Sequence, residues 1–291
     1  MAEVEIPAAL VGKLREKSGA RLMDCKKALL ETHAEFSSKG EDKWLEAAEG
    51  WLRKKSLDKG GSMAERTASE GLLGHKLSNG GKTLTVVEMT ANTDFVAKNA
   101  EFLKLLNDLV EMADANKIES AEKLASMSLH GASVSDTVKA LAGKIGENIS
   151  LKRVVRFDGE IGFYIHHDNK QGAIVEIAGA SGEKAQAIGK DISMHIVFAK
   201  PSYLTRGEVP AEQVKKETDI VTEKLKTDPK NASKPPEILN KIAAGQLNKF
   251  YSLLVLPDQP YYKDGSKTVA QVLKDGAVTV KRFVRFEVGV V

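Results

Sequence analysis

The sequence predicts an α+β protein in which a small three-helix unit precedes two related antiparallel α+β halves. Three observations carry that reading. Apolar residues recur at helical spacing through residues 8–57. Gly71-x-x-Gly74 and Gly159-x-x-Gly162 open two segments that run in step, 88 residues apart, each with a turn and a β-branched strand. Lys152-Arg153-Val154-Val155-Arg156-Phe157 returns almost unchanged as Lys281-Arg282-Phe283-Val284-Arg285-Phe286. The boundaries drawn from these patterns are 1–58 for the helical unit, 59–152 for the first α+β half and 153–291 for the second, which includes a helical hairpin over 211–254.

Leu10, Val11 and Leu14 mark a first helix, with Gly19 as its C-cap. Leu22, Met23, Cys25, Ala28 and Leu29 mark a second, and Trp44, Leu45, Ala48, Trp51 and Leu52 a third. His33–Lys43 reads as a long loop, and Lys59-Gly60-Gly61-Ser62 as a linker. The basic residues Lys13, Arg15, Lys17, Arg21, Lys26 and Lys27 are balanced by nearby acids and read as a solvated helix face. The hairpin turns are Asn79-Gly80-Gly81 and Asp168-Asn169-Lys170, followed by Val86-Val87-Glu88 and Ile174-Val175-Glu176. Val138, Leu141, Ile145 and Ile149 share a helical face. Ala211–Lys226 and Pro236–Leu254 flank Asp228-Pro229-Lys230-Asn231 as two short-looped antiparallel helices. In the Lys-Arg strands the charges protect a sheet edge; a basic stripe for nucleic acid is the rival reading.

One stretch stands apart. Thr83, Thr85, Val87 and Met89 alternate with Leu84, Val86 and Glu88, the period of a strand. It runs into Thr90-Ala91-Asn92-Thr93, where Thr93 and Asn99 both suit helix N-caps. Phe102, Leu105, Leu106, Leu109 and Ala113 then mark a helix. Asp94-Phe95 therefore falls at a strand-to-helix corner. Read structurally, Asp94 favours a helix N-terminus through the dipole and Phe95 is ordinary core. Read functionally, the pair is a carboxylate beside an aromatic wedge. The second half reaches its helix, Glu183–Phe198, with five fewer residues, so only the first half carries this corner.

The bulk chemistry narrows the classes. Lys plus Arg number 43 against 40 Asp plus Glu, a net charge of +3, which makes no global electrostatic case for nucleic acid. No run of about 18 apolar residues predicts a membrane span. The start of the sequence lacks the basic-then-apolar pattern of a secretory signal. Cys25 stands alone and forms neither an intramolecular disulfide nor a cysteine metal cluster, which fits a reducing cytoplasm. Gly81-Lys82-Thr83 ends like a phosphate loop, but Lys76 occupies the first glycine position and a strand follows where a helix is required. His166-His167-Asp168 alternate across a strand, so at most one serves a given site. No cofactor, no metal and no catalytic residue is expected.

Thr93-Asp94-Phe95-Val96-Ala97-Lys98-Asn99 resembles the TDFVA(K)N signature of the elongation factor Ts family. Leu14 through Leu29, with its Asp24-Cys25-Lys26-Lys27-Ala28-Leu29 core, resembles that family's ubiquitin-associated-like N-terminal domain, with Ser18 where Thr is usual and Arg21 where Gly is common. Gly143-Lys144-Ile145-Gly146-Glu147-Asn148-Ile149 is similar to its central segment. Lys234-Pro235, Ile238, Lys241, Gly245 and Lys249-Phe250 keep the spacing of its helical-hairpin protrusion. Gln259-Pro260, Lys267-Thr268-Val269 and Phe283 through Gly289 resemble the family further on. The resemblance implies a non-enzymatic guanine nucleotide exchange factor, in a bacterial cytoplasm or, as the alternative, an organelle matrix. Its partner would be elongation factor Tu, GDP-bound or nucleotide-free, with no direct nucleic-acid or membrane contact. It implies partner contacts at the exchange tip (Thr93, Asp94, Phe95 and Val96), at Leu22 and Met23, and more weakly near His166. Hairpin 211–254 would touch the partner or a second copy of this chain in a homodimer. A ubiquitin-like or peptide adaptor and a basic-strand RNA-binding protein are the rival readings.

Overall fold

The computed structural model describes residues 6–63, 68–228, 231 and 234–290. The chain divides into two compact units, Met1–Lys76 with Thr85–Arg156 and Val288–Val291, and Leu77–Leu84 with Phe157–Glu287.

The first unit begins with helices α1 (Ala8–Ser18), α2 (Leu22–Phe36) and α3 (Glu41–Met63). Leu14, Cys25, Ala28, Leu29 and Ala48 are fully buried between them. Gly19 ends α1 at φ 63°, the left-handed cap expected of it. Two expectations fail here. The stretch 33–43 is not a long loop, because α2 continues to Phe36, a 3-10 turn covers Ser37–Lys39, and Gly40 at φ 100° leads into α3. The residues read as a linker, 59–62, continue the backbone of α3. Glycine weakens a helix interior by about 1 kcal/mol but does not terminate it, and α3 packs along helix α7 (Val134–Ile145). The expected basic face is partly paired: Lys13 bonds Glu41 at 2.5 Å and Lys17 bonds Glu49 at 2.9 Å.

Strands β1 (Glu70–Ser78), β2 (Thr83–Ala91) and β5 (Ile149–Asp158) form a three-stranded sheet in the order β1-β2-β5. All nine residues of β2 are buried, so the alternation read in the sequence belongs to a central strand covered on both faces. Helix α4 (Asp94–Ala97) and helix α5 (Ala100–Ala115) follow β2. Phe102, Leu105, Leu106, Leu109 and Ala113 of α5 pack with Val87, Met89, Val138 and Leu141 in one core. Helix α6 (Ala121–Ser126) and the short pair β3 (Ser128–Leu129) and β4 (Ala132–Ser133) lead to α7. Gly289 lies against Ser69, so close that a Cβ there would fall 2.0 Å from the Ser69 carbonyl oxygen.

The second unit repeats the plan. Strand β6 (Ile161–Ile165), strand β7 (Gln171–Ala178) and helix α8 (Gly182–Ala199) stand for β1, β2 and α5, and β10 (Thr279–Glu287) stands for β5 in the order β10-β7-β6. Gly162 is required by contact: a Cβ would meet the Gly189 backbone of α8 at 2.1 Å. The repeat extends to its ion pairs. Arg153 of β5 donates two hydrogen bonds to Glu88 of β2, at 2.7 and 2.9 Å. Arg282 of β10 donates to Glu176 of β7 at 2.7 Å, and Lys281 adds a bond at 3.2 Å. These donors hold the Glu176 carboxyl below the usual range. The twin Lys-Arg strands therefore spend much of their charge within their own sheets.

Helices α9 (Ala211–Thr227) and α10 (Pro236–Leu254) pack on one another, with Val221 buried. Within the turn read between them, Pro229 and Lys230 lie outside the described residues. The unit is completed by β8 (Pro260–Tyr261), β9 (Asp264–Thr268) and α11 (Val269–Gly276), the last opened by a Thr268–Gln271 capping box. His195 of α8 is fully buried: its Nε2 lies 2.9 Å from Gln259 Oε1, and its Nδ1 accepts the Tyr262 N–H at 3.3 Å. Gln259 in turn donates to the carbonyls of Ala199 and Leu253. Among the described residues no helix is long and apolar enough to cross a membrane.

Two predictions follow from this packing. Glu88 is nearly sealed from water, whereas the Arg282 side chain is 54% exposed. Arg153→Met should cost about 2–3 kcal/mol by leaving a buried charge unpaired, and Arg282→Met about 1 kcal/mol or less, as read by urea unfolding. Burial pushes the His195 pKa down, with the Gln259 bond opposing. A lowered folded pKa means that the unfolded chain binds the proton first. This stabilisation is therefore complete above the unfolded value of about 6.5 and is lost as pH falls through the folded one. Melting temperatures from pH 7.5 to 5 should fall more steeply in the wild type than in His195→Gln.

Candidate functional site

The corner after β2 is built from the inside outward. Eight residues, 92–99, join β2 to α5, against three, 179–181, between β7 and α8. The surplus forms α4. Val96 is 3% exposed and Ala97 is buried with it, and Val96 joins the core made by Met89 and Phe102. Asn99 caps α5, its Oδ1 accepting the N–H groups of Glu101 and Phe102. With one side of α4 anchored, Phe95 is turned out and is 78% exposed. Asp94 is half-buried and pairs with Lys98 at 2.7 Å, one helical turn on.

Thr93 sits at the N-cap position of α4 but does not cap it. Its hydroxyl donates instead to Glu147 Oε2 at 2.8 Å. Beside it, Asn92 Oδ1 accepts the Asn148 N–H at 2.7 Å. The corner is thus tied twice to the connection between α7 and β5.

That connection also receives the N-terminal helices. Arg21, just before α2, donates from Nη2 to the Ile145 carbonyl oxygen at 2.6 Å, where α7 ends in the left-handed Gly146. Leu22 and Met23 follow directly and are 51% and 71% exposed. Two of the expected contact regions therefore attach to one four-residue segment, 145–148. His166 lies in the second unit, at the β6–β7 turn. Its N–H donates to the Gln171 carbonyl oxygen at 2.8 Å, and its Nδ1 is 2.6 Å from the Tyr164 hydroxyl. Among the described residues no group of three or more His, Cys, Asp or Glu could hold a metal ion.

Of the four corner residues expected to face a partner, Thr93, Asp94 and Phe95 reach the surface, and Val96 is the anchor beneath them. Sequence reasoning missed Asn92, Arg21, Glu147 and Asn148 as the groups that fix this geometry. The available signal was the Gly143–Ile149 string, similar to a family segment though far from the corner in sequence. Together these features define a two-copy α+β scaffold that presents one clamped, solvent-facing aromatic corner.

The chain belongs to the elongation factor Ts family. The family model described as elongation factor TS matches residues 92–290. Elongation factor Ts of Deinococcus deserti is 40% identical over 280 residues, covering 96% of this chain and 98% of its own. That of Saccharopolyspora erythraea is 40% identical over 287 residues, covering 97% of each. That of Alkalilimnicola ehrlichii is 36% identical over 287 residues, covering 98% of this chain and 92% of its own.

The anchor and the tip should separate in stability. Phe95→Ala should change the unfolding free energy by no more than about 0.5 kcal/mol, as expected for a surface side chain. Val96→Ala should cost about 1–3 kcal/mol through lost burial and a cavity. Parallel urea titrations of the two variants check this.

Proposed function

We propose that this chain is a non-enzymatic exchange factor that binds elongation factor Tu and speeds GDP release from it during translation elongation. The observation that carries the reading is Phe95: a large aromatic, 78% exposed, on a corner whose other side is locked into the core. Exposing an aromatic forgoes about 1.5–3 kcal/mol of burial, which a docking partner restores. Family membership supplies the partner class.

A GTPase holds GDP through phosphate-loop hydrogen bonds and a magnesium ion. In this proposal Phe95 wedges into the partner's nucleotide-binding domain, and the Asp94 carboxylate disturbs the magnesium surroundings. The two equilibria are then coupled negatively. The bound factor weakens GDP, and GDP weakens the factor by the same ratio. Each tenfold step needs about 1.4 kcal/mol of differential contact, so Phe95 supplies one or two steps and other surfaces supply the rest. Leu22 and Met23 serve as the affinity anchor, and the region of His166 makes a lesser contact.

Stopped-flow release of fluorescent GDP from elongation factor Tu tests the division. Phe95→Ala should lower the maximal rate at saturating factor while its melting temperature stays near wild type. Asp94→Ala should lower that rate less, and the double variant should lose less than the two combined, since both act on one displacement. Leu22→Ala with Met23→Ala should raise the concentration needed for half-maximal release and leave the maximal rate unchanged. An adaptor or an RNA-binding protein predicts no effect of the wild-type chain on GDP release at all.

A further inference from the structure

We propose that the outer edge of β6 is a docking site for an extended segment of another protein, which adds to the second sheet as a fourth strand and directs a carboxylate to Lys190. Strands at sheet edges are normally guarded by charge, proline or bulges. The two twin edges follow that rule: β5 carries Lys152, Arg153 and Arg156, and β10 carries Lys281, Arg282 and Arg285. The remaining edge of the first sheet, β1, carries Glu70, His75 and Lys76. Strand β6 reads Ile-Gly-Phe-Tyr-Ile, has no charge and no proline, and pairs with β7 without a register shift. Among the described residues it is the last strand in the order β10-β7-β6.

A cleft of about 570 Å³ runs along this edge, within the range of built ligand sites. All five consecutive residues of β6 line it. Side chains alternate across a strand, so a cleft lined by every residue follows the edge and not one face. The far wall is the turn Gly80-Gly81 with Leu77, an exposed apolar residue of the same unit. The third wall is α8, through Gln186 and Lys190, held close by the Gly162–Gly189 backbone contact. Among the described residues Lys190 makes no ion pair.

These walls choose the occupant. An added strand is held chiefly by main-chain hydrogen bonds, with alternate side chains entering pockets. Apolar side chains suit Leu77 and the β6 residues, and a carboxylate suits the unpaired ammonium. A second copy of this chain fits poorly, because its β6 arrives with its own flanking turn and a second Lys190. The site needs neither the Asp-Phe corner nor GDP and goes beyond the exchange reading.

The test uses the full ¹⁵N-labelled chain and the peptide acetyl-Thr-Val-Glu-Val-Thr-amide at up to about 5 mM, enough to see weak complexes. Two further peptides carry N-methyl groups on one or the other alternate set of amides. In an edge-paired strand only one set faces β6, so one methylated peptide should bind and the other should bind at least tenfold more weakly. Binding should shift the amide resonances of 161–165 and slow their hydrogen exchange. Lys190→Glu should weaken the acidic peptide at least tenfold, and replacing the peptide's Glu by Lys should restore it. No perturbation of 161–165 by any of the peptides overturns the proposal. So does equal binding of both methylated forms, which indicates side-chain filling alone. Protection of 161–165 that rises with protein concentration without peptide assigns the edge to self-association instead.

Discussion

The short connection from Ile145 to Asn148 constrains the whole first unit. A helix that stops leaves carbonyl oxygens without partners, and α7 gives one of its own, on Ile145, to Arg21 at the head of α2. Gly146 turns the chain in the left-handed region, and the next two residues reach the other way, to Thr93 and Asn92. Local helix termination thereby sets the placement of two segments distant in sequence. In the proposed docking, a corner tied down in this way would leave less backbone conformational entropy to be lost. The backbone position of the corner that carries Phe95 is set by the ties of Asn92 and Thr93 to residues 147 and 148.

The two halves show how one pattern acquires different energetics. Glu88 and Glu176 occupy equivalent places and bind equivalent arginines. Glu88 lies on a strand buried throughout, so its pair is an internal requirement. Around Glu176 solvent reaches the partners, and Arg282 also stacks its guanidinium 3.9 Å from the centre of the Phe157 ring. Edge protection is what the sequence of the Lys-Arg strands suggests; the structure also pairs Arg153 and Arg282 within their own sheets, and burial decides how much each pair contributes.

Periodicity made the main elements legible. The three N-terminal helices, the repeated strand–turn–strand–helix plan and the core face of α5 all follow from apolar spacing, and the surplus of five residues located the corner. What escaped has physical causes. Glycine propensity at 59–62 suggested a linker, but the backbone of α3 continues through these residues, since glycine weakens a helix without terminating it. The stretch 33–43 has mixed composition, and only the structure shows how far α2 extends. Val96 reads like its neighbours in a four-residue string, since a single turn of helix has no period from which to assign faces. The ties from Asn92 and Thr93 to residues 147 and 148 span more than 50 positions, and no local pattern encodes them. The unguarded edge of β6 emerges only once strand order is known.

The contact of Gly289 with Ser69 bears on the order in which the molecule is made. A ribosome releases residues 6–156 long before residue 289, and domains generally fold as units during synthesis, N-terminal first. Here the first unit includes the segment from Val288, so the early-synthesised sheet waits for its last contact until the whole second half has emerged. Conversely, residues 77–84 belong to the second unit and appear well before the rest of it. Each unit therefore draws one segment from a part of the chain synthesised apart from the rest of it, although the sequence repeats one plan twice.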